Sequence, residues 1–356
     1  MKKIIYLLLL NISFVFGQNG APASPYYNGF NWTLTGTNLK NALATKITTT
    51  HTKLLTYTPG VWNALKQVDL DPSNTANVLL VYGWENGTDA DVTNDRSRDA
   101  SNNGGTNGQW NREHIFAQAL GNPDLGQDGP GADAHMLRAC DVQRNGSRGN
   151  RLYAAGSGNS GNVGANWYPG DEWKGDVARI IMYMYLHYGD QCLPTYVATG
   201  TTVSSDPNML NLLLQWNAED PVSQYEDNRN TYLGNANNTY GQGNRNPFID
   251  NPYLATVIWG GPVAQNRWPT VLSNKTFSDL NSIAIYPNPT NDIINIQSDV
   301  TLEEIEIITI NGQVLQQIKQ PVLNDNTYTI SNLPKGFYFI KLANASQSVT
   351  KKVLVN

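Results

Sequence analysis

The sequence predicts an α+β domain followed by a small all-β sandwich. Helix-period apolar runs, interrupted by short strand-like runs, fill most of the 356 residues. From Asn281 the texture changes to alternation at every second residue, broken by Asn-Gly and Pro-Lys-Gly turns. Within the first domain, the stretch from Trp110 to Asn150 is too polar and too rich in glycine to be core. It is the place to look for chemistry.

The chain opens with Lys2 and Lys3, then apolar runs over Ile4–Leu10 and Ile12–Phe16, then Gly17 and Gln18. This pattern reads as a secretory signal at 1–17, too short to span a bilayer. Leu39, Leu43 and Ile47 mark a helix within Thr37–Leu55, and a second helix is expected at Val61–Val68. Val78–Tyr82 reads as a buried strand, and 86–108 as a polar loop. Glu172–Tyr188 is the strongest helix, with Asp171 as expected N-cap and Gly189 as its stop. Further helices are expected at Asn208–Asn217 and Pro221–Tyr232, with a loop over 241–252. The expected domains are 18–265, a linker at 266–280, and a β-module at 281–356 carrying Asp292-Ile-Ile-Asn-Ile-Gln297, Glu304-Ile-Glu-Ile-Ile308 and Gly336-Phe-Tyr-Phe-Ile-Lys-Leu342.

Net charge is -5. Without Lys2 and Lys3, 22 basic residues of the 24 face 29 acidic ones, or -7. A broad positive field for nucleic acid is excluded, so any grip on phosphate must come from a few placed arginines and a cation. Two cysteines, Cys140 and Cys192, lie in no C-x-x-C pair, which argues against a cysteine zinc site. A disulfide between them and two buried free thiols are equally open.

Trp110-Asn-Arg-Glu-His114, Asp133-Ala-His135 and Asn145-Gly-Ser-Arg148-Gly-Asn150 bring carboxylates, imidazoles, carboxamides and guanidiniums into one region. Such a set suits cleavage of a phosphodiester. Glu113 offers an oxygen to a hard cation, while His114, kept off the metal, accepts a proton from water. Asn145 and Asn150 each offer a neutral amide oxygen, and an oxygen site of this kind suits Mg²⁺ or Ca²⁺. Arg112, Arg148, Arg151, Arg229 and Arg245 are candidate phosphate contacts, or else members of surface ion pairs. Asp133 and His135 are expected to shape the site from behind. The competing arrangement is a zinc site made of His114, Glu113, Asp133 and His135, although no H-E-x-x-H helix is present.

Together with Gly175-Asp-Val-Ala-Arg179, Asp220-Pro-Val222 and Asn244-Arg-Asn-Pro-Phe-Ile-Asp250, these motifs resemble the bacterial endonuclease I family of the ββα-metal, or His-Me finger, nucleases over roughly Leu39–Gly261. The resemblance implies His114 as general base and Glu113 and Asn145 as ligands of one Mg²⁺ or Ca²⁺. It puts Arg148 near the phosphate, with Asn150 supporting the motif. It further implies sequence-nonspecific cleavage of DNA, with RNA as a second substrate, leaving 5′-phosphates. Ala117, Ala119 and Ala139 depart from the family's usual Pro and Ser, which touches local backbone shape. Ile285-Tyr-Pro-Asn-Pro-Thr290, Ile310-Asn-Gly-Gln-Val314 and Lys351-Lys-Val-Leu-Val355 resemble the C-terminal sorting domain of type IX secretion. That implies transport across the outer membrane to the medium or cell surface by secretion machinery, with the module usually removed afterwards; a monomer without stable membrane insertion is expected. The alternatives are a surface adhesin or glycan-binding protein, and a zinc-dependent hydrolase.

Overall fold

The computed structural model describes residues 21–269, 271–272, 283–298, 302–323, 327–344 and 348–356. The expected signal, and all of the expected linker beyond Leu272, lie outside the described residues. The chain divides into two units, Met1–Leu272 and Ser273–Asn356.

In the first unit, α1 (Gly36–Thr50) and α2 (Trp62–Val68) precede an antiparallel sheet of β1 (Leu70–Asp71), β2 (Asn74–Leu79) and β3 (Ser97–Asp99), in that spatial order. An antiparallel pair follows, β4 (Trp110–His114) and β5 (Leu137–Asp141), and β5 runs directly into α3 (Val142–Arg148). The strand pair β6 (Gly161–Val163) and β7 (Asn166–Tyr168) leads to α4 (Lys174–Tyr188) and α5 (Pro194–Val197). A further pair, β8 (Thr202–Val203) and β9 (Asp206–Leu210), leads to α6 (Asn211–Glu219) and α7 (Gln224–Leu233). The short helices α8 (Pro247–Asp250) and α9 (Tyr253–Trp259) complete the set.

The β4-β5-α3 element is fixed from three sides. All five residues of β5 are buried, and the register runs from Trp110 opposite Asp141 to His114 opposite Leu137. The Asp141 side chain accepts the N–H groups of Gln143 and Arg144 at 2.8 and 2.9 Å, so the helix starts as the strand ends. Gly149, at φ 52°, stops α3 in a conformation that favours glycine. Val81 N–H donates to Ala139 O at 2.9 Å, tying the segment after β2 to β5.

The differences from expectation have local causes. The expected strand Val78–Tyr82 ends at Leu79, and Tyr82 sits at φ 74°, which turns its phenol inward. Helix α4 is buried on every side from Gly175 to Leu186, not on a single stripe, and Gly189 ends it as expected. Asp171 does not cap it, because its carboxylate is held by Tyr168 Oη and Gly158 N. Asp220 from across the fold accepts the Gly175 N–H instead, at 2.8 Å. Asn208 belongs to β9, so the next helix begins at Asn211. Helix α7 begins at Gln224 behind a capping box of Ser223 and Glu226. The loop at 241–252 contains one helical turn, capped by Asn246 and opened by Pro247. The described part of the expected linker does not behave as one: Trp268 is fully buried, with its ring 5.0 Å from Trp32 and 5.6 Å from Tyr27. Cys140 and Cys192 are both free and buried.

In the second unit, β10 (Ala284–Tyr286), β11 (Ile294–Gln297) and β14 (Thr327–Ile330) form one sheet. The other has the order β13 (Val314–Lys319), β12 (Glu304–Thr309), β15 (Gly336–Ala343), β16 (Ser348–Val355). Alternate residues, among them Ile294, Ile296, Ile305, Ile307, Ile340 and Leu342, fill one shared core.

Truncation at the end of the first unit's core is testable. Trp268→Ala should destabilise that unit by about 3–5 kcal/mol, read as a fall in the urea midpoint of the intact chain. An unchanged midpoint would mean that this indole does not belong to the cooperative core.

Candidate active site

Strand alternation divides the chemistry of β4. Asn111 and Glu113 face α3 and Tyr82, whereas Arg112 and His114 face Tyr57. Asn145, on α3, donates its amide N–H to Asn111 Oδ1 at 2.8 Å and to Arg112 O at 3.2 Å. Its Oδ1 is thereby turned away from these bonds and left as an acceptor. Glu113 Oε1 accepts from Tyr82 Oη at 2.8 Å and lies 3.3 Å from Arg148 Nη1. Burial pushes the Glu113 carboxyl up to about 7, against the pull of Arg148 and the Tyr82 hydrogen bond.

His114 closes the strand. Its Nε2 is 3.1 Å from Gly131 O, a group that only accepts, so Nε2 carries the proton and Nδ1 is the free lone pair. Tyr57 stacks on the imidazole with ring centroids 5.7 Å apart. Burial lowers the His114 pKa to about 4, and the nearby Arg112 and Arg148 cations push the same way. The ring is therefore neutral near pH 7 and able to take a proton at Nδ1.

The remaining expected residues fall into two groups. Arg112 is half-buried, with its guanidinium 3.5 Å from the Tyr57 ring centroid and 4.4 Å from that of Trp62, and it has no carboxylate partner among the described residues. Arg151 is half-buried and bonds the Ser147 carbonyl, while Asn150 is exposed beyond the end of α3. The other three arginines are corrections. Arg148 is buried and donates to the carbonyls of His114 and Ile115 at 2.9 and 3.0 Å, so it braces the strand end and presents no face to a phosphate. Arg229 is buried on Asp69 and on the carbonyls of Ala134 and Leu137. Arg245 is buried on Asp250. Core ion pairs account for both, and neither is a phosphate contact. The sequence marks them as cations but carries no local sign of their burial.

Asp133 and His135 stand behind the site. Asp133 accepts Tyr183 and Tyr188 hydroxyls on Oδ2, at 2.7 and 2.9 Å. Its Oδ1 takes the His135 N–H and Gln242 Nε2, at 2.9 and 3.0 Å. His135 Nε2 is 2.9 Å from Asn244 O. The zinc set of His114, Glu113, Asp133 and His135 is not assembled: among the described residues these four side chains do not come within reach of one shared ion. Among the described residues one cation-sized group exists: His51, Asp133 and His187 offer atoms within 4.8 Å of one another. Hydrogen bonds close it. Gln242 Oε1 accepts Ala134 N at 2.6 Å, which fixes the amide so that Nε2 donates to His51 Nε2 at 3.1 Å. His51 Nδ1 then donates to His187 Nε2 at 2.8 Å, and His187 Nδ1 to Thr48 at 3.2 Å. Sequence reading missed Tyr57, Tyr82 and Gln242, which reach the site only through the fold.

Comparison with known proteins agrees with this element. Residues 35–253 match endonuclease I. The chain belongs to the endonuclease I family. Residues 284–356 match the secretion system C-terminal sorting domain. An extracellular ribonuclease of Bacillus amyloliquefaciens is 43% identical over 234 residues, covering 63% of this chain and 74% of that protein. An extracellular ribonuclease of Bacillus subtilis (strain 168) is 41% identical over 256 residues, covering 67% and 82%. The chain is a nuclease, which displaces the adhesin reading, and its sorting domain and relatives point to secretion. Among the described residues, no helix is long and apolar enough to cross a membrane.

Burial also lowers the His135 pKa to about 4, against the pull of Asp133. Because the folded value lies below the unfolded one, this imidazole's contribution is complete above about pH 6.5 and is lost as pH falls toward 4. Glu113, Asp176 and Asp220, whose carboxyls are raised by burial, act in the opposite sense, so the test is a comparison. Between pH 7 and pH 5, His135→Gln should gain about 2 kcal/mol relative to the parent protein, measured by urea unfolding at both pH values. A constant difference would mean that His135 is not neutral in the fold.

Proposed function

We propose that this nuclease is a metal-dependent, sequence-nonspecific endonuclease, with His114 as general base and Glu113 and Asn145 as the ligands of one Mg²⁺ or Ca²⁺. The observation that carries the reading is the set of three hydrogen bonds that leave His114 Nδ1 and Asn145 Oδ1 as acceptors at the same strand end. Glu113 Oε2 has no hydrogen-bond donor among the described residues while Oε1 is held by Tyr82 and Arg148, so the acidic ligand has an oxygen to spare. A carboxylate and an amide oxygen, with no nitrogen or sulfur donor, make a hard set that fits Mg²⁺ or Ca²⁺ better than Zn²⁺. When bound, the cation supplies charge stabilisation to the phosphoryl group and the departing oxygen.

The chain's own residues account for the rest. Gly131 O holds the Nε2 proton, which fixes the tautomer and the ring plane. Nδ1 takes a proton from water as its oxygen bonds to phosphorus; the P–O3′ bond breaks, the departing O3′ takes up a proton from solvent water, and Nδ1 then returns its own proton to solvent, leaving a 3′-hydroxyl and a 5′-phosphate. Arg112, held against Tyr57 and Trp62 and without a carboxylate partner among the described residues, is the guanidinium on the His114 side of the strand left to meet a phosphate oxygen. Because the base acts on water and not on a ribose 2′-hydroxyl, both DNA and RNA are substrates, consistent with relatives named as ribonucleases.

Incubation of plasmid and of RNA with Mg²⁺, Ca²⁺ or EDTA tests this. Cleavage should stop with EDTA, and both substrates should carry 5′-phosphate ends. RNA ending in 2′,3′-cyclic phosphate would refute the water-attack mechanism. His114→Ala should lose about 10²–10⁴-fold in rate with an unchanged circular dichroism spectrum, and a variant cutting at the parent rate would remove His114 from the role of base.

A further inference from the structure

The arginines of this acidic chain are partitioned. There are eleven, all among the described residues. Eight lie within 4.0 Å of a carboxylate, most of them deep in the fold. The three without such a partner are Arg112, Arg144 and Arg151, and all three lie in or just beyond the β4-β5-α3 element. Arg144, not among the expected site residues, directly precedes Asn145 on α3.

Its pose is built, not floppy. The guanidinium is 4.2 Å from the Trp84 ring centroid and 5.6 Å from that of Trp167. Nε and Nη2 donate to Ser160 Oγ at 3.2 and 2.8 Å, and Nη2 also to Ser160 O at 2.7 Å. Ser160 Oγ in turn donates to Tyr82 O at 2.7 Å, and Tyr82 is the residue that bonds Glu113. Nη1 has no bond among the described residues. The acidic side chains that act on Arg144 are Asp91, on an exposed loop with its Oδ1 held by Thr93, and Asp141, occupied by Arg98 and the start of α3. Burial lowers the pKa of Arg112 and Arg144 alike, so both cations sit partly dehydrated without a paired anion. An arriving phosphate relieves that cost. Stacking on an indole leaves the guanidinium's in-plane donors open, and with Nε and Nη2 bonded to Ser160 it is Nη1 that remains to meet a phosphate oxygen.

We infer that Arg144, seated on Trp84, contacts a backbone phosphate outside the scissile group, forming with Arg112 and Arg151 a three-guanidinium track for a nucleic-acid strand. This rests on the nuclease reading above, and the experiment separates the two. Binding is measured, not cleavage, using full-length His114→Ala protein in EDTA and a fluorescent single-stranded DNA, from 50 to 200 mM salt. Three phosphate contacts give a slope of log K against log salt of about -2. Arg144→Gln should reduce that slope by about 0.7 and weaken binding at low salt by about tenfold. Arg144→Lys should keep most of the slope, and Arg96→Gln, which removes an ion-paired surface arginine, should leave it unchanged. A folded Arg144→Gln with the unaltered slope and affinity overturns the inference while leaving the nuclease reading intact. A slope near -1.4 or shallower before Arg144 is changed overturns it without any variant at that position. Failure of the native protein to cleave any nucleic acid is the separate failure of the nuclease reading.

Discussion

The site depends on one buried cation. β4 ends immediately after His114, and ending a strand strips its carbonyls of ladder partners. Arg148 replaces them. From the last turn of α3 it donates to the carbonyls of His114 and Ile115 and lies 3.3 Å from Glu113 Oε1. Tyr153 Oη adds a bond to Ile115 O at 3.0 Å, and its ring lies under the guanidinium. A buried carbonyl without a donor costs about 1–3 kcal/mol and a buried unpaired carboxylate more, so these groups are bound to one another's presence. The guanidinium therefore welds helix to strand at the point where chemistry is to occur.

The weld also explains how two adjacent residues acquire opposite electrostatic character. Glu113 points toward the buried side and its carboxyl is pushed up by burial; His114 points toward Tyr57 and Gly131 and its imidazole is pushed down by the same cause. Burial penalises whichever form is charged, so one mechanism drives the two groups in opposite directions. A neutral imidazole is the form that accepts a proton, and a carboxylate penalised for its charge gains from a nearby cation. The acidic balance of the chain is compatible with this. Most arginines are consumed inside, as with Arg179 on Glu226 and Arg138 on Asp176, and the few left over are concentrated beside the site.

Much of this was legible in the sequence where the cause is local. Gly189 stops α4, Leu39, Leu43 and Ile47 give α1 its buried face, and period-two alternation marks the second unit. The adjacency of Glu113 and His114, and the spacing to Asn145, are also local signals that the fold keeps together. What was not legible depends on partners distant in the chain. Arg229 and Arg245 read as exposed cations because Asp69 is far from the first, and because the burial of Asp250 leaves no trace in its neighbours. Asp171 read as a cap because it precedes a helix, yet Asp220 does that work from another segment. Tyr82 read as the end of a strand, and its positive φ carries it to Glu113 instead.

The same reasoning gives the Asp133 cluster a purpose without a cation. The carbonyl that orients His114 belongs to Gly131, a residue with no room for a side chain, since a Cβ there would stand 1.9 Å from Gly126 O. A single backbone oxygen holds a ring in place only as firmly as its own segment is held. Two residues onward, Asp133 is gripped by two tyrosine hydroxyls and Gln242, Ala134 N–H is bonded to the same amide, and Ala134 O is bonded to Arg229. A buried carboxylate satisfied by neutral donors fixes geometry in several directions at once, which a hydrophobic contact does not. His51 and His187 extend that cage to α1 and α4, the two longest helices among the described residues. The orientation of one imidazole is thus referred to the rigid core through a chain of hydrogen bonds, each with a defined donor.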